Sequence, residues 1–166
     1  MKRWMSVVAV VLVAAGMVAC GDNSQLLRAR RDIGAMVRVV HGLYAGQSTY
    51  KGLSSESLVV AGVVPRNMVS ETFEGYSLLN TYGGLVELLD AERCGNIMED
   101  EFCLRYTKVP GSDCVKLAMT ADGGRYRMVA VNASVFMPSP LSKREAARWC
   151  MDKKNTLTWV FDGVME

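Results

Sequence analysis

Apolar side chains recur at intervals of three and four over residues 24–45, which is the spacing of one face of an α-helix. The apolar positions are Leu26, Ile33, Met36, Val37, Val40, Leu43 and Tyr44. Asn23 or Ser24 can cap the first turn, and Gly46 can end the last one. The pattern therefore predicts a long amphipathic helix over about residues 24–45.

After this helix the pattern changes to short helices and strands. Ser54 is placed to cap a short helix that ends before Gly62, and a second short helix is predicted to begin near Ser112. Ser142 and Glu145 form a capping box that predicts a third. Strands are predicted in LVELLD (85–90), EFCLRYTK (101–108), YRMVAV (126–131) and NTLTWVFDG (155–163).

One long helix followed by mixed strands and short helices is an α+β pattern. The strands predict an antiparallel sheet, which needs one face covered, and the N-terminal helix is the natural cover. We therefore expect one globular domain over residues 21–166. Residues 1–20 are expected to form a leader or a membrane anchor, for the reasons that follow.

Residues 1–20 have the anatomy of a secretory signal. Lys2 and Arg3 form a positive start, residues 4–18 carry no charge, and small residues cluster before Cys20. We expect export of the chain. An uncleaved membrane anchor is the alternative, and it also places the body outside the cytoplasm.

The charge of the body argues against nucleic acid as a partner. Lys2 and Arg3 belong to the leader, and the rest of the 19 basic residues balance the 17 acidic residues. Nucleic-acid binding depends on a basic surface, which a neutral body does not provide.

Export changes the meaning of the five cysteines, because thiols outside the cytoplasm oxidise to disulfides. If Cys20 belongs to the leader, four remain: Cys94, Cys103, Cys114 and Cys150. The sequence has no C-x-x-C pair and one histidine, which disfavours a structural zinc site. We expect two disulfides, and the spacing leaves all three pairings open.

Residues for catalysis are scarce. His41 lies between apolar residues of the predicted helix, so a packing or surface role is expected. Glu99, Asp100 and Glu101 lack the spacing of a calcium loop and are expected to form a solvated loop. We therefore expect no catalytic residues, no cofactor, no metal site, no small-molecule substrate and no enzymatic activity.

Six segments of the body occur in the order found in one known family. They are LYAGQ (43–47), YKGL (50–53), VVP (63–65), NTYGG (80–84), FCLRYTKVPGSDCVKL (102–117) and WCMDKKNTLTWVF (149–161). From about residue 24 to residue 162 the chain resembles the type IVb pilins, in particular the major pilins of plasmid-type thin pili and their relatives.

The resemblance implies a pilin-like fold, in which a long helical spine packs on an antiparallel sheet. It implies a closing disulfide between Cys114 and Cys150, and leaves Cys94 with Cys103 as a local clip. It also implies filament assembly, in which the apolar stripe of the helix (Leu26, Ile33, Val37, Val40 and Leu43) serves both its own sheet and neighbouring subunits. The expected partners are other pilin-like subunits or pilus assembly proteins.

The N-terminus departs from the family pattern. A type IV prepilin keeps its apolar stretch after a leader that ends in Gly, whereas here the apolar run precedes Gly16. Val18-Ala19-Cys20 instead resembles a bacterial lipobox, in which Cys20 is acylated and becomes the mature N-terminus. Two alternatives stay open: an uncleaved helix continuous with residues 24–45, and a prepilin leader encoded upstream of Met1.

Two functional hypotheses follow. The first is a non-enzymatic pilin-like subunit or accessory of a type IVb pilus or conjugation apparatus. The second is a lipid-anchored periplasmic or surface module for binding or adhesion that has a pilin fold but does not polymerise. Both place the protein at a membrane or on the cell surface, held through its N-terminus.

Overall fold

The computed structural model describes residues 19–73, 75–95, 97–120, 126–132, 134–151 and 153–163, with side chains from residue 24 onward. The leader predicted over residues 1–20 therefore lies outside the described residues, except for the backbone of its last two positions. Those two positions, Ala19 and Cys20, are helical.

The first described element is the long helix α1 (Ala19–Leu43). It begins before the predicted cap, since residues 19–23 are helical as well. They contain no proline, the residue that would interrupt a helix at this point. At its other end the amide of Tyr44 still bonds the carbonyl of Val40 at 3.0 Å. Gly46 then takes a positive φ of 80°, which ends the helix where the sequence predicts.

Among the described residues, seven strands form one sheet in the order β1-β2-β3-β4-β7-β5-β6, and every paired neighbour is antiparallel. The strands are β1 (Val69–Thr72), β2 (Gly75–Leu79), β3 (Leu85–Leu89), β4 (Phe102–Pro110), β5 (Tyr126–Val131), β6 (Met137–Pro138) and β7 (Lys154–Phe161). The central pair is therefore β4 and β7, and β1 and β6 are the edges.

Short helices connect the strands. They are α2 (Ser55–Val60), α3 (Ala91–Cys94), α4 (Gly111–Met119) and α5 (Lys143–Trp149), with a single 3₁₀ turn at Arg66–Met68. Ser54 caps α2, and the predicted capping box of Ser142 and Glu145 opens α5. Asp90 caps α3 by accepting a bond from the amide of Arg93.

The main core lies between α1 and the sheet. Phe102, Leu104 and Tyr106 of β4 have no exposed surface, and Leu157, Trp159 and Phe161 of β7 are at most 2% exposed. The side chains of these six residues lie on the same face of the sheet, because successive side chains along a strand alternate between its two faces. A smaller cluster of Leu89, Cys103 and Val160 packs on the opposite face. The predicted α+β class is confirmed.

Candidate interaction surfaces

The apolar stripe of α1 packs against the chain's own sheet. Leu26, Ile33, Val37 and Val40 are 6%, 5%, 3% and 0% exposed, and all four join the main core. Within one chain these four side chains are covered by the core, and the contact with neighbouring subunits that is expected of the stripe stays a prediction. Leu43, the fifth residue of the set, is 40% exposed at the end of the helix.

The opposite face of α1 is exposed and cationic. Arg28, Arg31 and Arg38 follow each other at intervals of three and seven, so they lie on one side of the helix. All three are exposed, and the neighbouring Leu27 is 58% exposed. This cationic face is the part of α1 that is open to another protein.

A groove of about 650 Å³ runs beside the cationic face. Its lining residues are Arg28, Arg31, Asp32, Ala35, Pro65, Asn67, Met68, Leu79, Asn80 and Thr81. Burial raises the pKa of Asp32, and the guanidinium groups of Arg31 and Arg28 offset part of the rise. With two arginines against one carboxyl group, the groove favours an anionic occupant.

One wall of the groove is built by the turn between β2 and β3. The buried side chain of Asn80 accepts bonds from the amides of Tyr82 and Gly84 and donates to the carbonyl of Thr107, all within 3.0 Å. A Cβ at Gly84 would lie 1.9 Å from the carbonyl oxygen of Thr107, so only glycine fits there. The predicted NTYGG turn is therefore rigid and tied to β4.

Two disulfides join the four cysteines of the described body. Cys114 of α4 is bonded to Cys150, which follows α5, with their Cα atoms 5.8 Å apart. Cys94 is bonded to Cys103 with a Cα distance of 6.0 Å. The first bond closes a segment that contains β5, β6 and α5, and the second clips α3 to β4. Cys20, the predicted lipidation site, has no described side chain.

Asn155 ties together the chain on both sides of the closed segment, a role that was not predicted from the sequence. Its side chain is 1% exposed and donates to the carbonyls of Val109, Met151 and Lys153. Its oxygen accepts from the amide of Met151 at 2.7 Å and from Asn132 at 3.1 Å. A signal was available in the sequence: an asparagine at the start of a strand-like segment is a frequent partner for loop backbone.

The surface of the closed segment is rich in cations. Lys143, Arg144 and Arg148 of α5 are exposed, as are Lys153 and Lys154 beyond Cys150. The guanidinium of Arg148 lies 5.5 Å from the ring centroid of Trp149. The closed segment and the residues just after it therefore present further cations to solvent.

His41 has a packing role. Its ring meets Phe102 edge-on at a centroid distance of 5.7 Å and lies 6.4 Å from Tyr50. Burial lowers the pKa of His41, and a hydrogen bond with the backbone of Asp162 offsets part of this. The histidine therefore belongs to an aromatic cluster at the end of α1.

The acidic run at residues 99–101 is only partly solvated, which corrects the expectation of a solvated loop. Glu99 and Asp100 are exposed, but Glu101 is 3% exposed. Its carboxylate lies 2.5 Å from Arg127 of β5 and accepts a bond from the amide of Met98 at 2.8 Å. The carboxylate of Glu101 can be buried because Arg127 neutralises its charge and the amide of Met98 donates a hydrogen bond to it.

Within the described ranges, no group of three or more His, Cys, Asp or Glu side chains is arranged to hold a metal ion. Among these same residues, no helix is both long enough and apolar enough to cross a membrane.

Comparison with known proteins decides the family. The model of the family described as PilS N terminal matches residues 23–162, which is most of the chain. The chain belongs to the PilS N-terminal family. A comparison with curated proteins finds no significant match.

Two solved structures show that this PilS family member has the fold of a type IV pilin. The type IVb pilin from Salmonella typhi matches with a TM-score of 0.64 and 21% identity, over 81% of this chain and 98% of that one. TcpA, a type IV pilin from Vibrio cholerae El Tor biotype, matches with a TM-score of 0.53 and 10% identity, over 82% and 98%. The predicted resemblance to type IVb pilins and the predicted pilin-like fold are confirmed.

Proposed function

We propose that this protein is a structural subunit, or an accessory component, of a type IVb pilus or a related conjugation apparatus. Its membership of the PilS N-terminal family over residues 23–162 carries the proposal. The pilin fold supports it, since the long helix and the sheet have the same arrangement as in two solved type IV pilins. The protein acts by packing against other pilin subunits rather than by catalysis.

The exposed face of α1 supports an assembly role. A subunit that polymerises needs two different surfaces that fit each other, since a contact between unlike surfaces builds an open helical filament when it does not close into a ring. The face with Arg28, Arg31 and Arg38 is one surface that α1 offers, and the partly exposed Leu43 is a separate apolar side chain at the helix end. The buried stripe holds the helix in place on its own sheet.

The disulfides suit a protein that works outside the cell. The bond between Cys114 and Cys150 closes 36 residues of chain, and a loop of that length constrains the unfolded state substantially. The segment it closes presents Lys143, Arg144 and Arg148 to solvent. We therefore assign this segment to the outer surface of the assembled structure.

The N-terminus supports a second candidate. Val18-Ala19-Cys20 resembles a lipobox, so Cys20 is proposed as a lipidated residue and residues 1–20 as the leader that precedes or contains it. A chain anchored by acyl groups stays in a membrane and lacks a bare apolar helix for a filament core. The second candidate is thus a lipid-anchored adhesion or binding module with a pilin fold that does not polymerise.

One pair of measurements separates the two candidates. Surface-sheared filaments from cells that make the full chain should contain this protein if it is a pilus subunit, and its absence from them would contradict the polymer role. Intact-mass analysis of the mature protein should show a diacylglyceryl group on Cys20 for the anchored module. Cys20→Ser is the matched variant, since it removes the lipid acceptor and leaves the four described cysteines in place.

A further inference from the structure

The most exposed large apolar side chain among the described residues is Phe73, whose relative exposure is 107%. It lies in the turn of the β1–β2 hairpin, just beyond the closing pair of Thr72 and Gly75. The hydroxyl of Thr72 donates to the carbonyl of Gly75 at 2.8 Å, which links the facing ends of β1 and β2. An exposed aromatic ring next to such a strand end is a typical anchor of a protein interface.

The side chains next to this ring extend the same surface. Glu71 is exposed and sits opposite Tyr76 in the strand register, and Tyr76 is 48% exposed. Glu71 forms no ion pair with any residue that the structure describes. The hairpin tip, defined as Glu71, Phe73 and Tyr76, is therefore an aromatic surface with a free negative charge, at an edge of the sheet.

We propose that this hairpin tip docks into the arginine-lined groove beside α1 of a second copy of the chain. The charges are complementary, since Glu71 is anionic while Arg28 and Arg31 form no ion pairs in the described parts of the molecule. The groove also offers apolar surface for a ring, from Pro65, Met68 and Leu79. Arginine beside aromatic and apolar surface is the composition enriched in interface cores.

The contact joins two different parts of the surface. An extended strand advances about 3.3 Å per residue, so the tip lies roughly 15 Å from Met68, where β1 leaves the groove. The tip and the groove of one chain are thus separated by the length of β1, and each is left to serve another copy. When the tip of one copy occupies the groove of another, the pair still has one free groove and one free tip. Further copies can bind at both positions, so the contact can extend into a filament.

This inference rests on the proposed function, because it supplies a contact through which subunits pack. It is tested by replacing Phe73 with the photo-crosslinker p-benzoylphenylalanine in the full chain, made in cells. We expect an adduct of two copies, with the crosslink mapped by mass spectrometry to peptides that contain residues 28–35, 65–68 or 79–81. No adduct, an adduct with a different protein, or a crosslink to another surface would overturn the proposal.

A charge exchange tests the same contact through different atoms. Glu71→Arg alone and Arg31→Glu alone should each lower the yield of the adduct about tenfold, and the two together should restore most of it. Glu56→Arg and Arg144→Glu are matched controls, since each reverses an exposed charge of the same type outside the tip, the groove and the cationic face of α1, and neither should change the yield. Failure of the double variant to recover would contradict the pairing.

The docking contact and the pilus role are tested by separate outcomes. If sheared filaments contain the protein but the crosslink maps elsewhere, the pilus role stands and this docking contact falls. If the crosslink maps to the groove but no filament contains the protein, the contact stands and the polymer role falls.

Discussion

The centre of the sheet and its β1–β2 edge differ in almost every physical respect. The central strands β4 and β7 are covered by α1, and the two disulfides end on β4 or on helices beside it. The edge hairpin presents Phe73 and Tyr76 to solvent, and β1 has a neighbour on one side alone. The stability of this domain therefore resides in the centre, while the surface open to other proteins lies at the edge and along α1.

The largest effect is expected in the centre. Trp159 is 2% exposed and packs edge-on against Tyr106 and Tyr126, at centroid distances of 5.6 Å and 6.5 Å. Trp159→Ala should lower the free energy of unfolding by about 3–5 kcal/mol, because it removes the largest side chain of the core and leaves a cavity. Urea unfolding followed by far-ultraviolet circular dichroism measures this, and a loss below about 1 kcal/mol would contradict the role given to the centre.

The disulfides give the next effect, and they should differ from each other. Replacing Cys114 and Cys150 by Ser should cost about 4 kcal/mol, and replacing Cys94 and Cys103 should cost about 2.5 kcal/mol, because the sequence separations are 36 and 9. Each pair of variants serves as the control for the other under the same non-reducing conditions. Equal losses, or the reverse order, would show that the length of the closed loop does not set the stabilisation.

A smaller effect is expected at Asp90, which ties the segment after α1 to α3. Burial alone would raise the pKa of Asp90. The hydrogen bonds that the amides of Gly52 and Arg93 donate to its carboxylate, together with the charge of Arg93, have a larger effect in the opposite direction. The pKa of Asp90 is therefore lowered. A lowered pKa in the folded state stabilises the fold above the unfolded value of about 4, and the stabilisation is lost as the pH falls through the lower folded value.

Asp90→Asn should therefore reduce the free energy of unfolding by about 1 kcal/mol at pH 7, and the difference from the unmodified protein should shrink at pH 3. Urea midpoints at the two pH values measure it. Glu92→Gln, at an exposed position of the same helix, is the control and should show no such change. A difference that stays the same at both pH values would contradict the electrostatic origin.

The same contrast explains how much of the fold was predictable. Helix α1, strands β4 and β7, and the capped helices α2 and α5 carry local signals, namely apolar periodicity, strict alternation and capping boxes. Strand β1 carries almost none, since Val69–Thr72 has a single apolar residue, and it forms because it pairs with β2. Their pairing is a property of the sheet and not of either segment.

The candidate surfaces were less predictable than the fold for a related reason. Periodicity places Leu26, Ile33, Val37 and Val40 on one face of α1, but it does not say whether that face meets the chain's own sheet or another subunit. The cysteine spacing left three pairings open, and the resemblance to pilins, not the spacing, suggested the one that the structure has. The groove beside α1 combines residues from three separate segments of the chain, so no local sequence pattern predicts it.

The smallest effect on stability is expected at the edge hairpin. A small effect is informative because it separates a role in assembly from a role in folding. Phe73→Ala should change the free energy of unfolding by less than about 0.5 kcal/mol, because a fully exposed ring has no packing to lose. The same urea experiment that detects Trp159→Ala measures it, and Val135→Ala, another exposed apolar position at 77%, is the control. A large loss at Phe73 would mean that the ring packs within its own chain. A negligible loss leaves the ring free for a second protein, so any defect of the variant in assembly would then report on the contact and not on folding.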